Sequence, residues 1–401
     1  MPVDAAVKLR PRSVGRIRPE LDELRRVLAE RGNPQLDFPS ILVVGTNGKG
    51  STVAMLEALL RTHGLGTGLF TSPHLVRVEE RVRLNGVPVD EPVLLSAIED
   101  LDQYPDLTYF ETMTAAAFVI FSEAQVDVAV LEAGMGGSWD ATRLAESAIA
   151  GLTNIGSDHA GWLGAEPTEV ARDKGRALVA AEKAVIGSGV DDDLVDWLGA
   201  PAAQPARSLV RCTDAGGGRV SMSWDGRASN VRMPLAGAYQ CDNLELAMAL
   251  ALEAANAGWV SPIEPPRIQV ALDGMSWPGR LSVHRFKGRE VLTDCAHNLE
   301  AARALAEHLD ELDCRYNLLF SCLDDKPVEA IAEILKDRVD QVVVCRLDDE
   351  RAMPLERLAA AFPGAEVAED PQSGLDRTRD PVLVAGSIRL VGAILALVER
   401  A

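Results

Sequence analysis

The segment Gly45–Ser51 reads GTNGKGS and runs into Thr52. Glycines in such a run let the backbone curl until several N–H groups point at one phosphate. A helix opening there adds the positive end of its dipole. Lys49 then reaches terminal phosphates, and Ser51 or Thr52 offers a hydroxyl to Mg²⁺. The spacing is G-x-x-G-K-G-S rather than G-x-x-x-x-G-K-[ST]. The strand–loop–helix context therefore carries the phosphate-loop reading against a plain glycine-rich turn. Three more polar clusters end apolar runs: Thr71-Ser72-Pro73-His74, Glu132-Ala133-Gly134-Met135-Gly136-Gly137 and Ser157-Asp158-His159. Glu132 supplies the hard oxygen that Mg²⁺ prefers. Taken singly, His74 or His159 reads as a structural hydrogen-bonder.

Strands must hold these clusters. Ser40–Val44 (SILVV), between Pro39 and Gly45, predicts a short buried strand. Val53, Leu56 and Leu60 fall at helical spacing in Ser51–His63, which Gly64 stops. Thr67–Phe70, Val126–Leu131 and Ala148–Thr153 predict further strands, and Glu169–Ala181 a helix. This βαβ rhythm predicts a parallel sheet with helices on both faces. Ligands of such sheets bind outside the carboxyl ends of the strands. Four strand ends bearing a phosphate loop, a hydroxyl, a carboxylate and an imidazole then make one metal–nucleotide site. Asp191–Asn230 breaks the rhythm and predicts a β-rich insertion, whereas Asp242–Ala255 predicts a helix N-capped by Asp242. After Met275–Lys287 the alternation restarts. Glu290–Thr293, Tyr316–Phe320, Gln341–Cys345 and Pro381–Ala385 predict strands. Leu299–Leu309, Val328–Lys336, Leu355–Ala361 and Ile388–Val398 predict helices of a second, smaller α/β domain.

The chain has 401 residues, with 40 Lys+Arg against 60 Asp+Glu for a net charge of −20. Its 47% hydrophobic and 25% charged residues are ordinary for globular domains and exclude a mainly disordered chain. The acidity argues against a general grip on nucleic-acid backbones, and 4% aromatic residues against stacking platforms for single strands. No apolar run approaches the ~18–20 residues of a membrane span, and the N-terminus lacks a secretory core. The six cysteines form no C-x-x-C pair, so neither a zinc ribbon nor a redox motif is expected. The expectation is a cytoplasmic protein, by default a monomer, without nucleic-acid or membrane partners.

The motifs GTNGKGS, TSPHLVRVEERVRLNG, TYFE, LEAGMGG-x-x-DAT, DH-x-x-WLG, W-PGR and D-x-AHN occur in this order over nearly the whole chain. The chain resembles the folylpolyglutamate synthase/dihydrofolate synthase family of the ATP-dependent Mur ligase superfamily. The resemblance implies an α/β fold with a phosphate-loop, Mur-ligase-type domain over residues 1–279, its sheet mainly parallel. It implies a linker at 280–288 and a smaller Rossmann-like α/β glutamate-ligase domain over 289–401. The implied activity adds L-glutamate to dihydropteroate, to tetrahydrofolate or its polyglutamates, or to both. It proceeds through an acyl phosphate and releases ADP and phosphate. ATP and one or two Mg²⁺ ions are implied as partners of the reaction. By motif, Asn47, Gly48, Lys49, Gly50 and Ser51 correspond to the ATP loop, and Ser72, Glu132 and His159 to magnesium ligands. Asn243, Arg280, Asp294 and His297 correspond to nucleotide contacts, and Thr108, Tyr109, Phe110 and Glu111 to the pteroate-side pocket. Lys174 matches a lysine that is carbamylated in related ligases and would help hold a second magnesium. Lys49, Lys174 and His159 are the implied catalytic residues.

Two segments depart from the family pattern. Ser138 stands where the family carries an arginine, and the N-terminal pterin loop reads Ile17-Arg18-Pro19-Glu20-Leu21. Both touch the folate side and leave the preferred substrate open. A Mur-type amide ligase acting on another carboxylate shares the phosphate loop and metal residues, but TSPHL and DH-x-x-WLG argue against it. A non-catalytic nucleotide binder or regulatory GTPase is disfavoured by the retained metal residues and by the lack of a guanine-reading N-K-x-D.

Overall fold

The computed structural model describes Leu9 and residues 20–158, 164 and 166–400. Two compact units divide the chain: one runs up to Pro234 and includes Gln240–Met275, the other holds Leu235–Tyr239 and Ser276–Ala401.

In the first unit, strands β1 (Ser40–Val44), β2 (Thr67–Phe70), β3 (Val82–Leu84), β4 (Val87–Pro88), β5 (Val128–Glu132), β6 (Ile149–Asn154), β7 (Lys183–Gly189) and β8 (Gln204–Pro205) form one sheet. Its order is β4-β3-β2-β5-β1-β6-β7-β8. From β2 to β8 all pairings are parallel, as the βαβ rhythm predicts. Every residue of β1, β2 and β5 is buried, because helices cover both faces and leave no polar side. The registers Val43↔Glu132 and Phe70↔Leu131 bring the ends of β1, β5 and β2 level. The edge pair β3–β4 was absent from the sequence expectation. Asn85 (φ +52°) and Gly86 (φ +80°) close it as a two-residue hairpin, a turn that requires positive φ at both positions.

The β-rich insertion expected at Asp191–Asn230 contains short helices and then an antiparallel sheet of β9 (Arg211–Gly216), β10 (Arg219–Trp224) and β11 (Arg227–Arg232). Val220, Met222 and Trp224 alternate inward along β10. The helix expected from Asp242 starts at Gln240, so Asp242 lies in its first turn and is not the N-cap.

The second unit contains β12 (Ser282–Phe286), β13 (Arg289–Thr293), β14 (Tyr316–Phe320), β15 (Val339–Cys345), β16 (Glu366–Ala368) and β17 (Val382–Ala385). Their order is β12-β13-β17-β14-β15-β16, parallel except for β12–β13. The expected linker at 280–288 is corrected here, since β12 pairs along its length with β13 and belongs to this sheet. Its alternating exposed and covered side chains, typical of an edge strand, hid it from a search for buried runs.

Candidate active site

The loop after β1 is built for close approach. Gly45 has φ +151°, and a Cβ there would fall 1.8 Å from Thr153 Oγ1. Gly48 has φ +82°, and its Cβ would fall 2.2 Å from Asn243 Oδ1. Both positions demand glycine for space as well as for backbone angle. The loop is tied to the end of β6. Thr46 N donates to Asn154 O (3.1 Å), Asn47 N to Asn154 Oδ1 (2.9 Å), and Thr153 Oγ1 to Asn47 O (2.6 Å). From the helix Gln240–Asn256, Asn243 Oδ1 accepts from Thr52 Oγ1 at 3.5 Å and Asn243 Nδ2 donates to Gln240 Oε1 at 2.9 Å. Gln240 Nε2 in turn donates to Ser51 Oγ at 3.5 Å. The helix Lys49–Thr62 opens at Gly48 with Lys49 as its first residue, which aims its free N–H groups at the loop.

Two lysines converge on this loop. Lys49 Nζ donates to Gly45 O and Thr46 O, each at 3.1 Å. Lys174, on the helix Pro167–Ala180, donates from Nζ to Gly45 O at 2.8 Å and is only 3% exposed. Burial, together with the charge of Lys49, brings the Lys174 amine down to about 7. The glycine-rich loop after β5 holds that helix in place. A Cβ on Gly137 would lie 2.7 Å from Lys174 Cα, so the two backbones touch. Asp173 Oδ2 accepts from Gly137 N (2.8 Å), and its Oδ1 accepts from Ser138 Oγ. Asp140 closes the same loop by accepting from Met135 N (2.9 Å), Thr142 N (3.0 Å) and Thr142 Oγ1 (2.5 Å).

At the end of β5, the Glu132 carboxylate is buried and its Oε2 accepts from Ser72 N at 3.1 Å. No group of three or more His, Cys, Asp or Glu side chains suited to a metal gathers among the described residues. The Glu132 carboxylate and Ser72 hydroxyl are nonetheless hard oxygen donors, a set that fits Mg²⁺, which retains several waters and needs few protein ligands. His159, the expected third ligand, lies outside the described residues.

In the second unit, Asp294 is buried at the end of β13, and burial raises its carboxyl above the ordinary range while Arg280 opposes the rise. Its Oδ2 accepts from Leu281 N (3.0 Å) and its Oδ1 from Ala296 N (2.8 Å). Arg280 Nη1 donates to Gly279 O at 3.0 Å. His297 Nδ1 lies 2.7 Å from Cys295 O, which sets the proton on Nδ1 when the ring is neutral.

Two families match the chain: the Mur ligase middle domain over residues 43–251 and the Mur ligase, glutamate ligase domain over 279–388. The dihydrofolate synthase/folylpolyglutamate synthase of Mycobacterium tuberculosis is 34% identical over 93% of this chain and 83% of its own length. This chain belongs to the dihydrofolate synthase/folylpolyglutamate synthase family. A probable bifunctional folylpolyglutamate synthase/dihydropteroate synthase of Haloferax volcanii is also 34% identical, over 94% of this chain. The match spans about half, 48%, of that longer protein. Among solved structures, M. tuberculosis folylpolyglutamate synthase complexed with ADP and AMPPCP has a TM-score of 0.86 at 30% identity, covering 96% of both chains. The bifunctional Yersinia pestis enzyme with Mn, AMPPNP and L-glutamate bound has a TM-score of 0.85 at 26% identity, covering 99% of this chain and 98% of its own.

Within this dihydrofolate synthase/folylpolyglutamate synthase framework, the structure gathers Asn47–Ser51, Lys174 and Asn243 around one loop and sets Ser72 against Glu132. It also divides the expected pteroate residues. Thr108 and Glu111 form a capping box at the start of the helix Tyr109–Glu123, with Glu111 N donating to Thr108 Oγ1 (3.3 Å) and Thr108 N to Glu111 Oε2 (2.7 Å). Their polar atoms are buried in that exchange. Tyr109 and Phe110 stay half-buried. Phe110 packs on Gly134, where a Cβ would come within 2.6 Å of the ring, and lies 5.9 Å from the Phe70 ring. The Arg81 guanidinium stands 5.2 Å over the Tyr109 ring, and its Nε donates to His74 Nδ1 at 2.9 Å. In the sequence Arg81 stands inside TSPHLVRVEERVRLNG and is not among the expected site residues. Its single signal was a position next to the β3–β4 hairpin, which itself went unread.

Proposed function

We propose that this chain is an ATP-dependent acid–amino acid ligase that adds L-glutamate to a pteroate or folate carboxylate, with release of ADP and phosphate. The observation that carries the reading is the convergence of Lys49 and Lys174 on Gly45 O at the opening of GTNGKGS. Amide synthesis in water needs an activated carboxylate, and phosphorylation by ATP supplies an acyl phosphate that the glutamate amine attacks. Asn47–Ser51 donate backbone N–H groups to the phosphates, and Lys49 leaves its carbonyl partners to neutralise the transferring phosphoryl group. Asn243 and Gln240 keep the loop in shape before nucleotide arrives. Ser72, Glu132, His159 and a carbamylated Lys174 are the proposed holders of one or two magnesium ions. Such ions, when bound, supply positive charge to the attacking and leaving oxygens. An amine at about 7 is substantially neutral near physiological pH, the form that takes up CO₂, which supports carbamylation of Lys174. Arg280, Asp294 and His297 are proposed as nucleotide contacts of the second unit, with Asp294 acting mainly by shaping the turn that carries His297. Tyr109 and Phe110 are the proposed aromatic wall for the pteroate, and Thr108 and Glu111 fix the helix that presents them. The same reading assigns the enzyme to the cytoplasm as a monomer.

The test is ATP-to-ADP turnover with dihydropteroate and tetrahydrofolate in parallel, each with and without L-glutamate. Turnover and glutamate incorporation that need both the pteroate-type acid and glutamate support the reading. Turnover indifferent to both overturns it.

A further inference from the structure

The turn that carries Arg280 is held in a backbone conformation that its sequence resists. Gly279 has φ +74° and Leu281 φ +48°, so Arg280 stands between two left-handed residues. Among the described non-glycine residues with positive φ, Leu281 is the only buried one, 5% exposed, and the only one with an apolar side chain. A leucine Cβ crowds the following carbonyl there, so the conformation persists only where the surroundings over-determine it. The second unit supplies those surroundings. Leu281 N donates to Asp294 Oδ2 (3.0 Å), and the leucine side chain is part of that unit's core. Gly279 O accepts from Cys295 N (3.1 Å), and Gly279 N donates to Ser282 Oγ (2.8 Å). Ser282 Oγ also lies 2.8 Å from Thr293 Oγ1, its directly opposite partner in the β12–β13 pair, and 3.0 Å from His284 Nε2. Thr293 Oγ1 gives its proton to Ser282 O (3.2 Å). The serine proton then goes to Thr293 Oγ1, and the two serine lone pairs take Gly279 N–H and His284 Nε2–H. The hydroxyl is fully engaged, and one of its partners is the backbone of the residue just before Arg280. The guanidinium folds onto the same residue, with Nη1 3.0 Å from Gly279 O.

We propose that Ser282, together with Leu281, is a positioning residue for Arg280: the serine hydroxyl and the left-handed leucine lock the turn Gly279–Ser282 and thereby fix where the guanidinium leaves the backbone to meet nucleotide phosphates. The inference rests on the reading of Arg280 as a nucleotide contact. An arginine on a loose glycine turn samples many directions and loses that freedom on binding, which weakens affinity. A turn pinned on both sides of Arg280 removes part of that loss before nucleotide arrives, so the move from Gly279 O to a phosphate needs side-chain rotation alone. Leu281 supplies the second half of the lock. Its buried side chain keeps residue 281 left-handed, and truncation lets the backbone relax to an ordinary φ and turn Arg280 away. Neither Ser282 nor Leu281 touches substrate in this reading, and their effect on ATP passes through the guanidinium.

The experiment is a double-mutant cycle on the full chain, with ATP affinity by calorimetric titration, turnover and thermal unfolding as readouts. It compares the wild type, Ser282→Ala, Ser282→Thr, Leu281→Ala and Arg280→Ala, and the combinations of Ser282→Ala and of Leu281→Ala with Arg280→Ala. Loss of the hydrogen bond to Gly279 N should weaken ATP binding about fivefold in Ser282→Ala, with Ser282→Thr, which keeps the hydroxyl, close to wild type. In the Arg280→Ala background the same change should weaken ATP binding by less than about twofold, because the residue it acts through is already gone. The fall in melting temperature should be equal in both backgrounds, since folding stability does not pass through the guanidinium. An equal loss of ATP affinity in both backgrounds overturns the proposal, and so does Ser282→Thr as weak as Ser282→Ala, or unchanged affinity in Ser282→Ala and Leu281→Ala. If Ser282→Ala does not fold, the Leu281→Ala pair decides by the same comparison. Arg280→Ala with wild-type ATP affinity and turnover defeats the reading of Arg280 as a nucleotide contact, a result distinct from equal losses added to an impaired Arg280→Ala.

Discussion

Lys49 and Lys174 share one acceptor, the carbonyl oxygen of Gly45, at 3.1 and 2.8 Å. Two amines on a single carbonyl repel one another, and the buried Lys174 yields by giving up its proton more easily. The arrangement places two amines of different surroundings at the opening of one loop, Lys174 buried and Lys49 half-buried.

Lys49→Ala should lower turnover by ~10²–10³ with little change in stability, because among the described residues the side-chain amine bonds the loop carbonyls of Gly45 and Thr46 and the side chain is no part of the buried core. Glutamate incorporation and thermal unfolding measured together check this. Activity close to wild type would remove Lys49 from phosphoryl transfer.

Lys174→Ala should also cut activity strongly, and a short carboxylic acid in solution should restore part of it by standing in for a carbamate oxygen. The same acid should not rescue Lys49→Ala, whose deficit is positive charge. Equal rescue of both variants, or of neither, argues against a carbamate at Lys174. Mass spectrometry under CO₂ of the wild type gives a second readout.

Gly48→Ala should lower unfolding stability by ~1–2 kcal/mol from its positive φ, and should also weaken ATP binding, because its Cβ would displace Asn243. Gly64→Ala is the control: it has φ +100° and open space around the Cβ position, so it carries the backbone cost without the loss of nucleotide affinity. Calorimetric titration with ATP separates the two.

His63 links the end of the helix Lys49–Thr62 to the helix Pro265–Asp273: Nδ1 donates to Leu59 O (2.7 Å) and Nε2 accepts from Glu264 N (3.1 Å). That pairing requires the neutral ring, and burial lowers its pKa below 6.5, with the Arg267 charge acting in the same direction. As pH falls through about 6.5 the unfolded chain binds the proton first, so stability present above that pH is lost below it. Thermal melts from pH 7.5 to 5.5 should show a shallower decline for His63→Gln than for wild type, and identical slopes would reject the role.

The loop, the strand ends and the alternation of both α/β units were legible in the sequence because their determinants are contiguous. SILVV followed by GTNGKGS contains its own strand, turn and helix start, and the predicted limits of β1, β2 and β14 match those observed. Family membership was legible for the same reason, since ordered short motifs survive without any knowledge of contacts. The capping role of Thr108 and Glu111 was open to a local reading as well, a Thr-x-x-Glu spacing before an apolar run, but the resemblance drew attention to the pocket instead.

Other features depend on residues far apart in the chain, and only the tertiary structure decided them. The edge strand β12 is recognisable through its pairing with β13 rather than through its own mixed side chains. Asp173 became the tie to Gly137 and Ser138, 36 and 35 positions away, and the Lys174 amine came to share Gly45 O with Lys49 across 129 residues. Sequence supplied the chemical types of those groups. Their burial, their mutual charge and therefore their protonation arise only when packing removes water and brings them within a few ångströms, because electrostatic and desolvation effects depend on distance in space and not along the chain.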